Sequence, residues 1–147
     1  MKHSVLFLML ASGCGTPSAP LPVDADDITD GEAESCLRTK VWELNRDGWS
    51  VRNSGTVRLS GGDHKSYAVN LYTSREYYLL ACGAGVAESL TLQLYNAEGT
   101  KLGSVTDQGR QPAFQHTPEK AGPHFVVVRN QTASQVSGSV SWTVLYR

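Results

Sequence analysis

Cysteine, histidine, serine and paired carboxylates are the groups of this 147-residue chain that could do chemistry on another molecule. Past the first thirteen residues the histidines are His64, His116 and His124, and their spacing fits no metal-ligand pattern; H-E-x-x-H is absent. Each reads as a solvated histidine on a loop or strand edge. A serine nucleophile would need an elbow such as G-x-S-x-G, which does not occur. Neither G-x-G-x-x-G nor a phosphate-binding loop is present, and no two carboxylates are singled out as a glycosidase pair. The expectation is a protein that is not an enzyme, with no cofactor and no metal.

The elements that would position such groups begin with a signal. Met1-Lys-His-Ser4 is a short basic start, Val5-Leu-Phe-Leu-Met-Leu-Ala11 is an apolar run, and Ser12-Gly13 are small. That is the layout of a secretory signal over residues 1–13. The apolar run is far shorter than the ~20 residues a membrane-spanning helix needs. Leu10-Ala-Ser-Gly-Cys14 resembles the lipobox of bacterial lipoproteins, with Ala11 where the pattern usually has Leu. The resemblance implies that Cys14 becomes the multiply acylated (palmitate-type) N-terminus, and two or more chains anchor stably to a membrane. Gly15 in the place of a retention Asp implies the outer membrane as the address within the cell envelope.

The chain has three cysteines, an awkward number for an exported protein. Lipidation of Cys14 would leave Cys36 and Cys82 as a pair, and an oxidising compartment favours a disulfide between them.

Residues 14–34 follow as a tether. It carries Pro17, Pro20 and Pro22, then Asp24, Asp26, Asp27, Asp30, Glu32 and Glu34 without a basic residue. Like charges and low hydrophobicity predict an extended, mobile segment, and Gly15 to Glu34 could span at most about 65 Å. The acidic run suits calcium by composition. It fails the EF-hand pattern, because the fifth position counted from Asp24 is Ile28, so it reads as a solvated linker.

From residue 35 to 147 the chain alternates short Val/Leu/Tyr/Thr runs with Gly, Asn and Asp clusters. Strands are expected near 55–60, 66–72, 76–82, 89–95, 101–106, 113–116, 124–129 and 136–146. Leu90, Leu92 and Leu94 give the clearest alternation, and Asn96-Ala-Glu-Gly99 the clearest hairpin turn. The strands 76–82 and 124–129 are apolar on both faces and read as central. The last strand sets Val140, Trp142, Val144 and Tyr146 against Ser139, Ser141 and Thr143, so it reads as packed on one face only. Cys36 to Trp49 is open between a helical turn and an opening strand, with Trp49 entering the core. No long helix is expected. About eight strands predict an all-β fold, a two-sheet antiparallel jelly-roll-like sandwich.

The order Tyr77-Tyr-Leu-Leu, Leu90-Thr-Leu-Gln-Leu-Tyr-Asn-Ala-Glu-Gly-Thr-Lys-Leu102 and Ala121-Gly-Pro-His-Phe-Val-Val-Val128 resembles the bacterial pre-peptidase C-terminal domains, relatives of the collagenase collagen-binding domains. The resemblance covers roughly Gly55 to Tyr146. It implies a jelly-roll-like sandwich without catalytic residues, of a kind usually appended to secreted proteases, which makes a hydrolase accessory role one further reading. Ser89 stands where the family often has an acidic residue, and the residues that bind calcium in the collagen-binding relatives have no match.

Charge narrows the partners. Lys and Arg number 13 against 14 Asp and Glu, and loss of Lys2 with the signal leaves 12 against 14. Without a clustered basic face, nucleic acid is not expected. Two non-catalytic roles remain. One is an interaction or structural subunit that joins an envelope protein partner while held to the membrane by its lipid. The other is a glycan- or peptide-binding module using Tyr72, Tyr78 or Tyr95 as an aromatic platform.

Overall fold

The computed structural model describes residues 25–147 other than 86, 88, 108, 134 and 136. The signal, Cys14 and the Pro-rich part of the tether lie outside the described residues. Within them, one helix, α1 (Ala25–Arg46), precedes eight strands: β1 (Ser50–Leu59), β2 (His64–Leu71), β3 (Tyr77–Ala84), β4 (Leu90–Tyr95), β5 (Lys101–Asp107), β6 (Ala113–His116), β7 (Gly122–Asn130) and β8 (Gly138–Tyr146). They form two four-stranded antiparallel sheets, ordered β1-β8-β3-β6 and β2-β7-β4-β5. That order is the jelly roll, in which every successive pair of strands except the β4–β5 hairpin crosses between the two sheets.

Alternation explains the core. Leu90, Leu92 and Leu94 of β4 point inward together with Val126 and Val128 of β7, and all are buried. From the facing sheet come Leu79 and Ala81 of β3 and Val140, Trp142 and Val144 of β8. Trp142 lies over Tyr67 with ring centroids 4.3 Å apart, closing the space between β8 and β2. The predicted centrality of β3 and β7 holds, since each has a neighbour on both sides. The β4–β5 hairpin turns where expected: Asn96 Oδ1 accepts the Glu98 and Thr100 N–H groups at 3.1 and 2.8 Å, and Gly99 sits at φ 81°. One buried amide locks the two sheets. Asn130 of β7, with 0% exposure, donates through Nδ2 to the Leu59 carbonyl of β1 at 3.0 Å.

Three expectations need correction, all for one reason. The first is that no long helix forms: α1 runs for 22 residues. The second is that residues 25–34 are extended: they are helical, in α1. Acidic residues gathered toward a helix N-terminus and basic ones toward its C-terminus complement the helix dipole, so the charge read as repulsion is compatible with a helix. The third is that β8 packs on one face. Ser139, Ser141 and Thr143 are also buried, because α1 lies across the outer face of the β1-β8-β3-β6 sheet.

The helix is held by a narrow stripe. Leu37, Val41 and Leu44, spaced by three to four residues, meet Leu80, Cys82 and Tyr78 of β3 and Ala113 in a second, smaller cluster. The Cys36–Cys82 disulfide fastens the same face covalently, as expected. At its end the Trp49 N–H bonds to the Leu44 carbonyl and the Gly48 N–H to the Asn45 carbonyl, with Gly48 at φ 88°. This is the Schellman cap, in which a glycine takes the left-handed position and frees the chain to turn. Trp49 is buried at 4% exposure, against Tyr78 in this outer layer and not in the main core.

Candidate functional site

The β2–β3, β4–β5 and β6–β7 connections and the C-terminus gather at one pole of the sandwich, as the registers require: Leu71 pairs with Gly122, Tyr77 with both His116 and Tyr146, and Tyr95 with Phe125. At this pole the described residues show a pocket of about 460 Å³ between the β4–β5 turn and the β6–β7 loop. A volume of this order suits a small ligand or a side chain of a partner.

Two histidines line it. His116 closes β6 and His124 opens the inward-facing row of β7, so the intervening loop brings the ends of two strands from different sheets together. His124 is buried and its Nδ1 lies 2.9 Å from the Gly122 carbonyl. A carbonyl only accepts, so Nδ1 is the donor, and in the neutral ring Nε2 is left as an acceptor. The His116 Nε2 is buried without a hydrogen-bond partner among the described residues. Burial of His116 lowers its pKa from the usual imidazole value; the charge of His124 lowers it further, and Glu119 opposes both. Neither ring is the solvated side chain expected from the sequence. His64 is exposed at the start of β2, toward the opposite pole.

The depressed His116 pKa has a direction that can be tested. The unfolded chain takes up a proton near the ordinary histidine pKa, whereas the folded chain resists it until lower pH. The stability due to neutral His116 is therefore present above about pH 6.5 and is lost as pH falls through its folded pKa. Thermal unfolding from pH 7.5 to 5 should show a fall in midpoint that is shallower in His116→Gln. Parallel curves would contradict the burial of this ring.

Beside the pocket the pole carries a band of arginines laid on aromatic rings. The Arg52 guanidinium stands 5.1 Å from the Tyr72 ring centroid, that of Arg75 5.4 Å from Tyr146, and that of Arg147 4.5 Å from Trp49. They are neighbours: the Arg75 N–H donates to the Tyr72 carbonyl, and Glu76 and Arg147 exchange backbone hydrogen bonds. Arg147 Nε also donates to Glu76 Oε2 at 2.8 Å. The sequence held no sign of this band, because each pair joins distant segments.

The tyrosines expected as a platform do not share one face. Tyr72 is 49% exposed in the turn after β2 and belongs to the arginine band. Tyr78 lies on the other sheet under the helix layer, edge-on to Trp49 at 5.5 Å. Tyr95 ends β4, with its hydroxyl donating to Gln93 Oε1 at 3.1 Å and Lys101 Nζ 5.9 Å from its ring. A shallower groove of about 330 Å³ runs between α1 and β1, lined in part by Leu37, Val41 and Val51. Among the described residues no group of three or more His, Cys, Asp or Glu is arranged to hold a metal ion, and no helix is long and apolar enough to cross a membrane.

The described residues thus form an eight-stranded jelly-roll sandwich with a disulfide-linked helix over one sheet. No family model matches the chain, and no curated protein matches it. Among solved structures it is similar to PliG of Aeromonas hydrophila, a periplasmic lysozyme inhibitor of g-type lysozyme. The similarity covers 65% of this chain and 85% of that one, at 13% sequence identity and a TM-score of 0.48. A likeness of this size says nothing of function.

Proposed function

We propose that the chain is an exported protein anchored to the outer membrane by lipid on Cys14, whose sandwich is a non-catalytic module that engages an envelope protein partner through the pocket-bearing pole. The observation that carries this reading is the Cys36–Cys82 bridge. A disulfide belongs to an exported, oxidising compartment. It also accounts for two of the three cysteines, so the remaining one is Cys14, at the end of the signal-like apolar run.

The direction of α1 supports display. Cys36 is bonded near the end of β3, and Trp49, just past the helix, meets Tyr78 near its start, so α1 runs antiparallel to β3. The helix extends on the order of 16 Å from Cys36 back to Ala25, at 1.5 Å per residue. Its N-terminal end therefore lies toward the pole opposite the pocket. An anchor before Ala25 would leave the pocket pole turned outward. The jelly-roll order is also compatible with descent from the pre-peptidase C-terminal domains, which we propose as the origin of the sandwich.

The test is fractionation of cells expressing the wild-type chain and Cys14→Ser. The wild type should sediment with outer membranes and the variant should appear in the soluble fraction. Identical membrane association of the two would refute lipid anchoring.

A further inference from the structure

From the arginine band at the pocket pole we infer a docking surface for an acidic segment of a partner protein, with carboxylates presented among apolar side chains. This deepens the reading of the sandwich as an interaction module and rests on it. Three observations specify the chemistry.

The first is preorganisation. Arg52, Arg75 and Arg147 each lie against an aromatic ring, on Tyr72, Tyr146 and Trp49. A guanidinium held over a ring can still present in-plane N–H groups to a carboxylate. Arg52 Nε already donates to the Asn70 carbonyl at 2.7 Å and Arg147 Nε to Glu76, so the edge that a partner carboxylate would take is that of Arg75, with the terminal Nη groups of Arg52 beside it. Stacking also fixes a side chain that would otherwise lose much rotamer freedom on binding. Arg, Tyr and Trp are moreover the residues in which protein interfaces concentrate their affinity.

The second is that the band already accepts a carboxylate. Arg147 holds Glu76 at 2.8 Å, while Arg75 is exposed in the adjacent turn and Arg52 is half-buried beside Tyr72. A partner carboxylate at Arg75 would repeat on its exposed neighbour what Glu76 does at Arg147.

The third is the sign of the surroundings. The chain as a whole has a formal charge of −1, and Asp47, Glu76, Glu98 and Glu119 lie in or beside the same pole. A dense polyanion such as nucleic acid, a sulfated glycan or an anionic bilayer would meet these carboxylates along with the arginines. Discrete carboxylates spaced by apolar groups would not. The bilayer is further disfavoured because the helix end nearest the tether lies toward the other pole.

The probe is an acetylated, fluorescein-labelled octapeptide in which glutamate alternates with valine, titrated against the full chain carrying Cys14→Ser. Saturable binding is expected, weakening about tenfold as salt rises from about 50 to 300 mM. The double variant Arg52→Glu/Arg75→Glu should weaken it about tenfold or more. Arg75→Glu alone, in an exposed turn, should give much of that loss with an unchanged thermal midpoint. Lys65→Glu, on β2 toward the opposite pole, should bind like the parent. Absence of saturable peptide binding overturns the proposal. So does an equal loss in Lys65→Glu, which would mean that net charge alone matters. Tighter, Arg75-dependent binding to phosphatidylglycerol vesicles or to heparin overturns the choice of a protein partner. None of these outcomes depends on lipid at Cys14, so failure here and failure of the anchoring reading are told apart.

Discussion

Breaking the Cys36–Cys82 bridge is expected to cost the folded chain about 4 kcal/mol. The bonded residues are 46 apart, and in the chain-entropy model a cross-link of that span removes freedom from the unfolded ensemble by about this amount. The folded state adds a reason for a large effect. The helix is held to the sheet by a stripe of few apolar residues, Leu37, Val41 and Leu44, whereas the core between the sheets does not depend on α1. Loss of the bridge should therefore loosen the helix first and uncover Leu80 and Tyr78. The check is denaturant unfolding with and without reductant, alongside Cys36→Ala/Cys82→Ala. Tryptophan emission should separate Trp42 and Trp49, in or beside the helix, from Trp142 in the sandwich core. A midpoint that reductant leaves in place would refute the contribution assigned to the bridge.

Asn130→Leu is expected to destabilise by about 3 kcal/mol even though it places an apolar side chain in a buried site of similar size. The amide satisfies groups from two directions: it donates to the Leu59 carbonyl at 3.0 Å and accepts the Thr132 N–H at 3.0 Å. Replacing it strands the Leu59 carbonyl in a buried position, and an orphaned buried polar group costs about 1–3 kcal/mol before the lost contacts are counted. Asn130 also bonds through its backbone to Asp63 and Gly62, so it ties the β1–β2 turn to the end of β7. Urea midpoints of wild type and variant measure the difference. A change below about 0.5 kcal/mol, the usual range for surface substitutions, would mean that the site relaxes around leucine.

The strands were legible because a half-buried strand writes its two faces into alternate residues. Leu90, Leu92 and Leu94 are inward as their spacing says, and the Asn96–Gly99 turn follows where a glycine can take positive φ. The same rule misread β8. Ser139, Ser141 and Thr143 carry a solvent-facing pattern yet lie beneath a helix, because small polar side chains let a helix approach a sheet closely. The helix was hidden by its composition. Its apolar positions, Ala33, Leu37, Val41 and Leu44, do repeat at helical spacing, and Gly48 marks its end. The acidic residues before Ala33 carry no apolar stripe of their own, so the helical period starts well inside the helix.

The pocket pole was far less legible. His116 and His124 are the two ends of one loop, and no linear motif says that a loop folds both rings into one pocket. Arg52 with Tyr72, Arg75 with Tyr146, and Arg147 with Trp49 meet only after the jelly roll has wound its hairpins. Strand periodicity tells which side of a sheet a residue takes. It does not tell which distant strand ends beside it.

The placement of the disulfide has a mechanical side. A pull on the N-terminal end of the chain can unwind α1 only as far as Cys36. There the load passes through a covalent bond into β3, which is hydrogen-bonded on one side to β8 and on the other to β6. Beyond that point, extension must tear β3 out of the middle of its sheet, breaking a block of hydrogen bonds together instead of one at a time. The bond thus places the yield point of the domain in the centre of a sheet, while the helical residues ahead of it can lengthen under tension and recoil.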